Sequence, residues 1–343
     1  MSVASFERLR DRTAVSSSGA SSNDDARKAV DAALQERLRP LNVCVTGRTG
    51  VGKSAIVDVL ESVHLDADGL DVRLREDSTT DGTDCDVLVY VIAGAVGSVD
   101  HAFLSSSGGA RNSAVVVLSK ADTLDDPAAA AAAASEQLAR AVLPLMGATA
   151  AGLRSTTLVM ADVRAVAASD VGAAEMLTVD RFLAADIAVS TRRREALIEC
   201  IELRGVALLV DVLRQRTDVS DGAALAQLVG ATGVDAVLAA ISTVVTAAAA
   251  SRDADLHRRL QQIAARYRPV RGAVESYLAS DEAVAAEMRC AAVHLGVPIE
   301  TGSEQAIAEQ AGLWKQRAAA AGDSAVRRSA LALCRGYVRM LRR

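Results

Sequence analysis

Apolar runs and polar, glycine-bearing turns alternate over the first half of the chain, and helical periodicity takes over in the second. Val43-Cys44-Val45 and the stretches 87–92 and 115–118 are continuously apolar, as strands buried on both faces are. Residues 70–77 alternate apolar with polar, the pattern of a strand with one exposed face. Residues 24–39 read as a charged helix stopped by Pro40. Asp126 as cap and Pro127 in the first turn open another helix, through alanines 128–134. From about Asp180 only helical spacing remains. Val234, Val237, Leu238, Ile241, Val244 and Val245 form one apolar stripe. Leu256, Leu260, Ile263 and Tyr267 form the next, followed by Val270, Val274 and Tyr277. The uncharged stretch 236–250 is too short and too weakly hydrophobic to span a bilayer, which makes it a buried bundle helix. A further helix starts at Ser280-Asp281-Glu282 and stops at Gly296, before Pro298. The pattern predicts an α/β domain with a mostly parallel sheet over 40–180 and an all-α helical bundle over 181–343. A helical arm with a Ser-rich linker, 1–39, precedes them.

Composition changes this picture little. A length of 343 residues fits two domains. Half the residues are apolar but only 2% are aromatic, so the core is Ala, Leu and Val in closely packed helices. A net charge of −5 argues against non-specific nucleic-acid binding. Cys44, Cys85, Cys200, Cys290 and Cys334 are dispersed, odd in number and without metal-site spacing. They read as small buried hydrophobes in a reducing cytosol. The charged start of the chain does not read as a signal peptide, and a cytoplasmic protein is expected.

The chemistry lies in Gly47-Arg48-Thr49-Gly50-Val51-Gly52-Lys53-Ser54, which fits G-x-x-x-x-G-K-[ST]. It follows the first apolar run and opens a helical segment, the context in which the pattern binds phosphate. Glycines let successive backbone N–H groups turn inward at phosphate oxygens, and the helix N-terminus adds its positive end. Lys53 is placed to reach the β and γ phosphates and the Ser54 hydroxyl to hold Mg²⁺. A second motif, Ser119-Lys120-Ala121-Asp122, ends the run 115–118. A fixed carboxylate accepts both the N1–H and the exocyclic amine of guanine, and adenine offers no such pair of donors. Asp122 stands where open α/β sheets bind ligands, just past a strand's carboxyl end, and the Lys120 stem can lie along the base.

On these two motifs the chain resembles the translation-factor-related P-loop GTPases, in particular their Era-like and bacterial, actinobacterial dynamin-like groups. The resemblance covers about residues 41–162. It implies phosphate and Mg²⁺ binding at Gly47, Gly52, Lys53 and Ser54, and guanine binding at Lys120 and Asp122, with GTP or GDP and Mg²⁺ as ligands. Ser119 departs from the family's Asn or Thr, though its hydroxyl can still bond the loop backbone. The family's short turn after the last sheet strand falls at residues 156–161, with Met160 where a small polar residue is usual. The segment from Glu202 to Arg214 resembles the one that follows the GTPase domain in actinobacterial dynamin-like proteins. A homodimer or a related GTPase is the kind of partner this implies.

Between the motifs the family's D-x-x-G has no clean copy. Asp77 is the best candidate for the Mg²⁺-side carboxylate, and Thr79 or Thr80 for a reach to the metal or the attacking water; an ordinary polar turn explains them as well. No Gln stands between Lys53 and Lys120. Arg48 or Arg111 could serve as an arginine finger in cis. The chemistry stays open among slow GTP hydrolysis, nucleotide binding without turnover, and a P-loop ATPase or kinase without guanine selectivity. At the end of the chain, 325–343, Leu331, Cys334, Val338 and Leu341 make an apolar stripe among six arginines, with no acidic residue after Asp323. Such a helix suits either a peripheral membrane contact or a bundle face with a solvated basic side.

Overall fold

The structure, a computed structural model, describes residues 3–15, 21–76, 85–105, 114–216 and 218–342. Strands β1 (Leu41–Gly47), β2 (Val72–Glu76), β3 (Val87–Ala93), β4 (Val115–Ser119) and β5 (Val142–Pro144) form one sheet in the order β2-β1-β3-β4-β5. β1 pairs parallel with β3, with Val43 opposite Val87; β3 pairs parallel with β4, and β4 with β5. The central strands are buried almost throughout, as their unbroken apolar runs require. β2, at the edge, is half exposed, as its alternation requires. On one side the sheet packs Leu88, Tyr90, Ile92 and Leu118 against Phe103 and Leu104 of α4 (Ser98–Ser105) and Leu138 of α5 (Pro127–Leu138). The Asp126 carboxylate caps α5 by accepting from the Ala129 amide at 2.9 Å.

Two sequence expectations are corrected here. The last strand is β5, and residues 156–159 form no strand but lead into a helix that starts at Met160. β5 is only three residues long and ends on a proline, which leaves no periodicity to detect. Cys44 and Cys85 form a disulfide, their Cα atoms 5.8 Å apart, so only Cys200, Cys290 and Cys334 are free thiols. Far apart in sequence, the two are brought together by the pairing of neighbouring strands.

The chain packs into two compact units. One unit holds 42–65 and 73–244; the other holds 1–41, 66–72 and 245–343. The first takes in helices beyond residue 180 because they share a core with earlier ones. α6 (Gly147–Ser155) is followed by α7 (Met160–Ala167), α8 (Val179–Ala184), α9 (Thr191–Gln215) and α10 (Asp221–Thr232). Val163, Phe182, Leu197, Ile201, Leu209 and Leu228 from this set pack in one cluster. α11 (Val234–Arg266) runs on without a break. By length and composition it is long and apolar enough to cross a membrane, longer than its uncharged stretch suggested. Its buried positions, Val237, Ile241, Val245, Ala249, Leu256 and Leu260, nevertheless fall on one stripe.

The second unit is helical. α1 (Val3–Val15), α2 (Ser21–Leu38) and α12 (Arg268–Leu278) pack Phe6, Leu34 and Val274 against Leu260 of α11. α13 (Asp281–Leu295), α14 (Glu304–Ala320) and α15 (Ser324–Met340) form another cluster around Trp314, Leu333 and Tyr337. α13 is capped by Ser280 and Gly296, as their positions predict. In α15 the buried face is Ala330, Leu333, Gly336 and Tyr337, whereas Leu331, Val338 and Leu341 stand exposed. A Cβ on Gly336 would lie 2.3 Å from Met288 Sδ, so close packing of α15 on α13 selects the small residue. The arginines Arg335 and Arg339 reach Glu287 and Asp281 of α13.

Arg37 and Asp253 form an ion pair with both side chains essentially inaccessible to water. Removing one partner strands the other charge in the interior, a loss of about 3–5 kcal/mol. Asp253→Ala is expected to lower the urea unfolding midpoint accordingly; an unchanged midpoint would show the pair to be dispensable.

Candidate functional site

In this strand order, ligands bind outside the carboxyl ends of the strands where the order reverses, between β1 and β3. The glycine loop leaves β1 at that point and enters α3 (Lys53–Glu61). Gly47 faces Val91 across the β1–β3 pairing, and a Cβ there would stand 2.3 Å from the Val91 carbonyl oxygen. Gly52 has φ of +92° and caps α3 in the left-handed conformation. These two positions exclude any other residue on geometry. Thr49 and Gly50 form the exposed tip, and Val51 tucks its side chain under the loop against Gly47. Lys53 is buried, and its Nζ donates to the carbonyls of Gly47 and Arg48, each at 3.2 Å. The lysine thus folds back along the loop. The Ser54 hydroxyl, one residue on, donates to Glu76 Oε2 at 3.0 Å.

The second motif sits past the end of β4. Ser119 is buried, and a Cβ on Gly52 would lie 2.8 Å from its Oγ, so the two sequence motifs touch. Lys120 has φ of +56°, a conformation that costs a non-glycine residue about 1–2 kcal/mol. The turn Ala121–Thr123 follows, held by the Thr123 hydroxyl donating to the Lys120 carbonyl at 2.8 Å. Asp122 lies half-exposed in that turn. Residues 145–147, between β5 and α6, close the same end of the sheet. The Leu145 amide donates to the Leu118 carbonyl, and Gly147 packs against Ala55 and Ser119. This segment, not 156–161, is the turn after the last strand; Met160 lies buried in α7.

Arg48 is turned away from the loop tip. Its guanidinium donates to the carbonyls of Ala93 and Ala95 and stands 3.4 Å from Asp100. Asp100 is completely buried and accepts from the Tyr90 hydroxyl and the Gly97 amide, both at 2.8 Å. Burial first, then the bond to Asp100, pushes the Tyr90 hydroxyl's pKa up and keeps it a donor. Asp77, Thr79, Thr80 and Arg111 lie outside the described residues.

Sequence reasoning missed Glu76, Asp100 and the 145–147 turn. Glu76 directly precedes Asp77, so the acidic end of β2 pointed to the right neighbourhood. Asp100 carried no signal, since its side-chain partners, Tyr90 and Arg48, come from β3 and the glycine loop. The Ser54 hydroxyl and Glu76 carboxylate are hard oxygen donors on one spot, a set that suits Mg²⁺ completed by phosphate oxygens. Among the described residues no group of three or more His, Cys, Asp or Glu side chains forms a metal cluster. Compared with protein-family models, with curated proteins and with solved structures, the chain matches none of them.

Proposed function

We propose that this chain is a P-loop guanine-nucleotide-binding protein of the translation-factor-related class, a dynamin-like switch that hydrolyses GTP slowly. The observation that supports it best is the contact of the two motifs, Ser119 against Gly52, at the carboxyl ends of β4 and β1. One loop brings a buried lysine at the start of a helix; the other brings a carboxylate from a strained turn. On this reading Lys53 exchanges its bonds to the Gly47 and Arg48 carbonyls for β- and γ-phosphate oxygens. The amides of residues 50–54 hold the remaining phosphate charge at the start of α3. Asp122 accepts the guanine N1–H and one amine proton, while the Lys120 stem covers the base. Ser54 and Glu76 hold Mg²⁺, which supplies neutralisation of charge on the phosphate oxygens.

Turnover needs a positioned water and a further positive charge. Arg48 is committed to Asp100 and to two backbone carbonyls. An arginine finger in cis is therefore not provided by the loop, and this favours nucleotide binding with weak or partner-dependent hydrolysis. Lys53→Ala is expected to weaken GDP binding at least tenfold in a fluorescent-nucleotide titration; unchanged affinity removes the phosphate site. Asp122→Asn is expected to shift preference from guanosine toward xanthosine diphosphate, because the amide donates to the carbonyl that replaces the amine. If the preference stays with guanosine, Asp122 does not read the base.

The exposed side of α15 supports a second role. Leu331, Val338 and Leu341 stand outward with Arg327, Arg328 and Arg342 around them. An anionic lipid surface complements such a face, each arginine contributing about 1 kcal/mol. Leu331→Glu/Val338→Glu leaves the buried Leu333 and Tyr337 in place. It is expected to abolish co-sedimentation with phosphatidylserine-containing vesicles. Absence of co-sedimentation by the unaltered protein would exclude the contact.

A further inference from the structure

α9 is not a simple helix. At Glu202 the backbone takes φ of 56° and ψ of 162°, a region that essentially only glycine occupies, so the helix breaks there into two. The break is held from α6. The Thr149 hydroxyl donates to the carbonyl of Ile201, the residue just before the break, at 3.0 Å. Gly152 and Gly205 allow the close crossing: a Cβ on Gly152 would lie 1.7 Å from the Cys200 carbonyl oxygen, and one on Gly205 3.2 Å from Thr149 Cγ2. α9 packs against the turn Ala121–Thr123, and the charge of Asp122 in that turn reaches Glu202.

Glu202 is half-buried, and no cation pairs with it among the described residues. Burial first, then the negative charge of Asp122, raises the pKa of its carboxyl group. Two carboxylates whose charges act on each other repel, and a ligand edge rich in N–H donors relieves that repulsion. The Watson–Crick edge of guanine carries three such protons, one on N1 and two on the exocyclic amine. Asp122 accepts only two of them.

Resting on the base reading by Asp122 proposed above, we propose that Glu202 is a second specificity-determining carboxylate, accepting the remaining amine proton of guanine. The site then discriminates by the amine itself. Hypoxanthine keeps N1–H but has no amine, so it leaves Glu202 unsatisfied beside Asp122. Adenine presents an acceptor at N1 and is rejected by both groups. The break in α9 has a function on this account: it places a carboxylate where a regular helix does not, and α6 holds it there.

The test compares GDP with inosine diphosphate by competition against a fluorescent guanine nucleotide. The full-length protein, Glu202→Gly, Glu202→Gln and Asp122→Asn are used. Glycine suits the backbone at this position, so Glu202→Gly removes the carboxylate without adding strain, and circular dichroism checks that the helices persist. The preference for GDP over inosine diphosphate is expected to fall about tenfold in Glu202→Gly, the worth of a hydrogen bond to a charged group. A smaller fall is expected in Glu202→Gln, which keeps a neutral acceptor. Affinity for inosine diphosphate itself should hold or rise as the repulsion is removed. A preference unchanged in both variants, with Asp122→Asn still moving selectivity toward xanthine, overturns the role of Glu202 and leaves the base site standing. If Asp122→Asn moves nothing either, the base reading falls and this inference with it.

Discussion

At Gly47 the chain comes so near the Val91 carbonyl of the neighbouring strand that no side chain fits between them, and the ligand end of the sheet depends on that approach. A Cβ there would force β1 and β3 apart just where the order of the sheet reverses. Gly52 repeats the constraint against Ser119 of β4. Between these fixed points the loop runs to the start of α3, where Lys53 lies buried. Neighbouring strands, not the loop itself, set the loop's shape.

The strands β1, β3 and β4 and the glycine loop were legible in the sequence because each rests on a local signal. Buried parallel strands need unbroken apolar runs, and the loop needs glycines at fixed spacing. Caps such as Asp126, Ser280 and Gly296 are local as well. What stayed hidden was set by packing at a distance. β5 is too short to show a period, so the turn at 145–147 carries no signal in the sequence. α15 carries bulky apolar residues on two faces: Leu331, Val338 and Leu341 stand outward, while Ala330, Leu333, Gly336 and Tyr337 are buried, with glycine where the helix comes close to Met288. The helices after residue 180 divide between two units because Phe182, Leu197 and Leu228 share a core with Val163, a choice no periodicity records.

The candidate site was half legible for the same reason. Lys53, Ser54 and Asp122 stand in motifs; Glu76, Asp100 and Glu202 reach it from other elements. Arg48 shows how neighbours decide a role. By position it belongs to the glycine loop, yet the buried carboxylate of Asp100 and the carbonyls of Ala93 and Ala95 hold it as a brace. A guanidinium so held stiffens the base of the loop and is lost to chemistry at its tip.

The Cys44–Cys85 disulfide closes a ring that contains the glycine loop, α3 and β2. In terms of chain topology, the glycine loop, α3 and β2 lie on a covalent ring that the chain enters at Cys44 and leaves at Cys85. Closing a loop of this length removes chain entropy worth about 4 kcal/mol from the unfolded state. Motion within the ring cannot separate its two ends, which stay clamped together between β1 and the start of β3. Any rearrangement within the ring leaves Cys44 and Cys85 at a fixed separation.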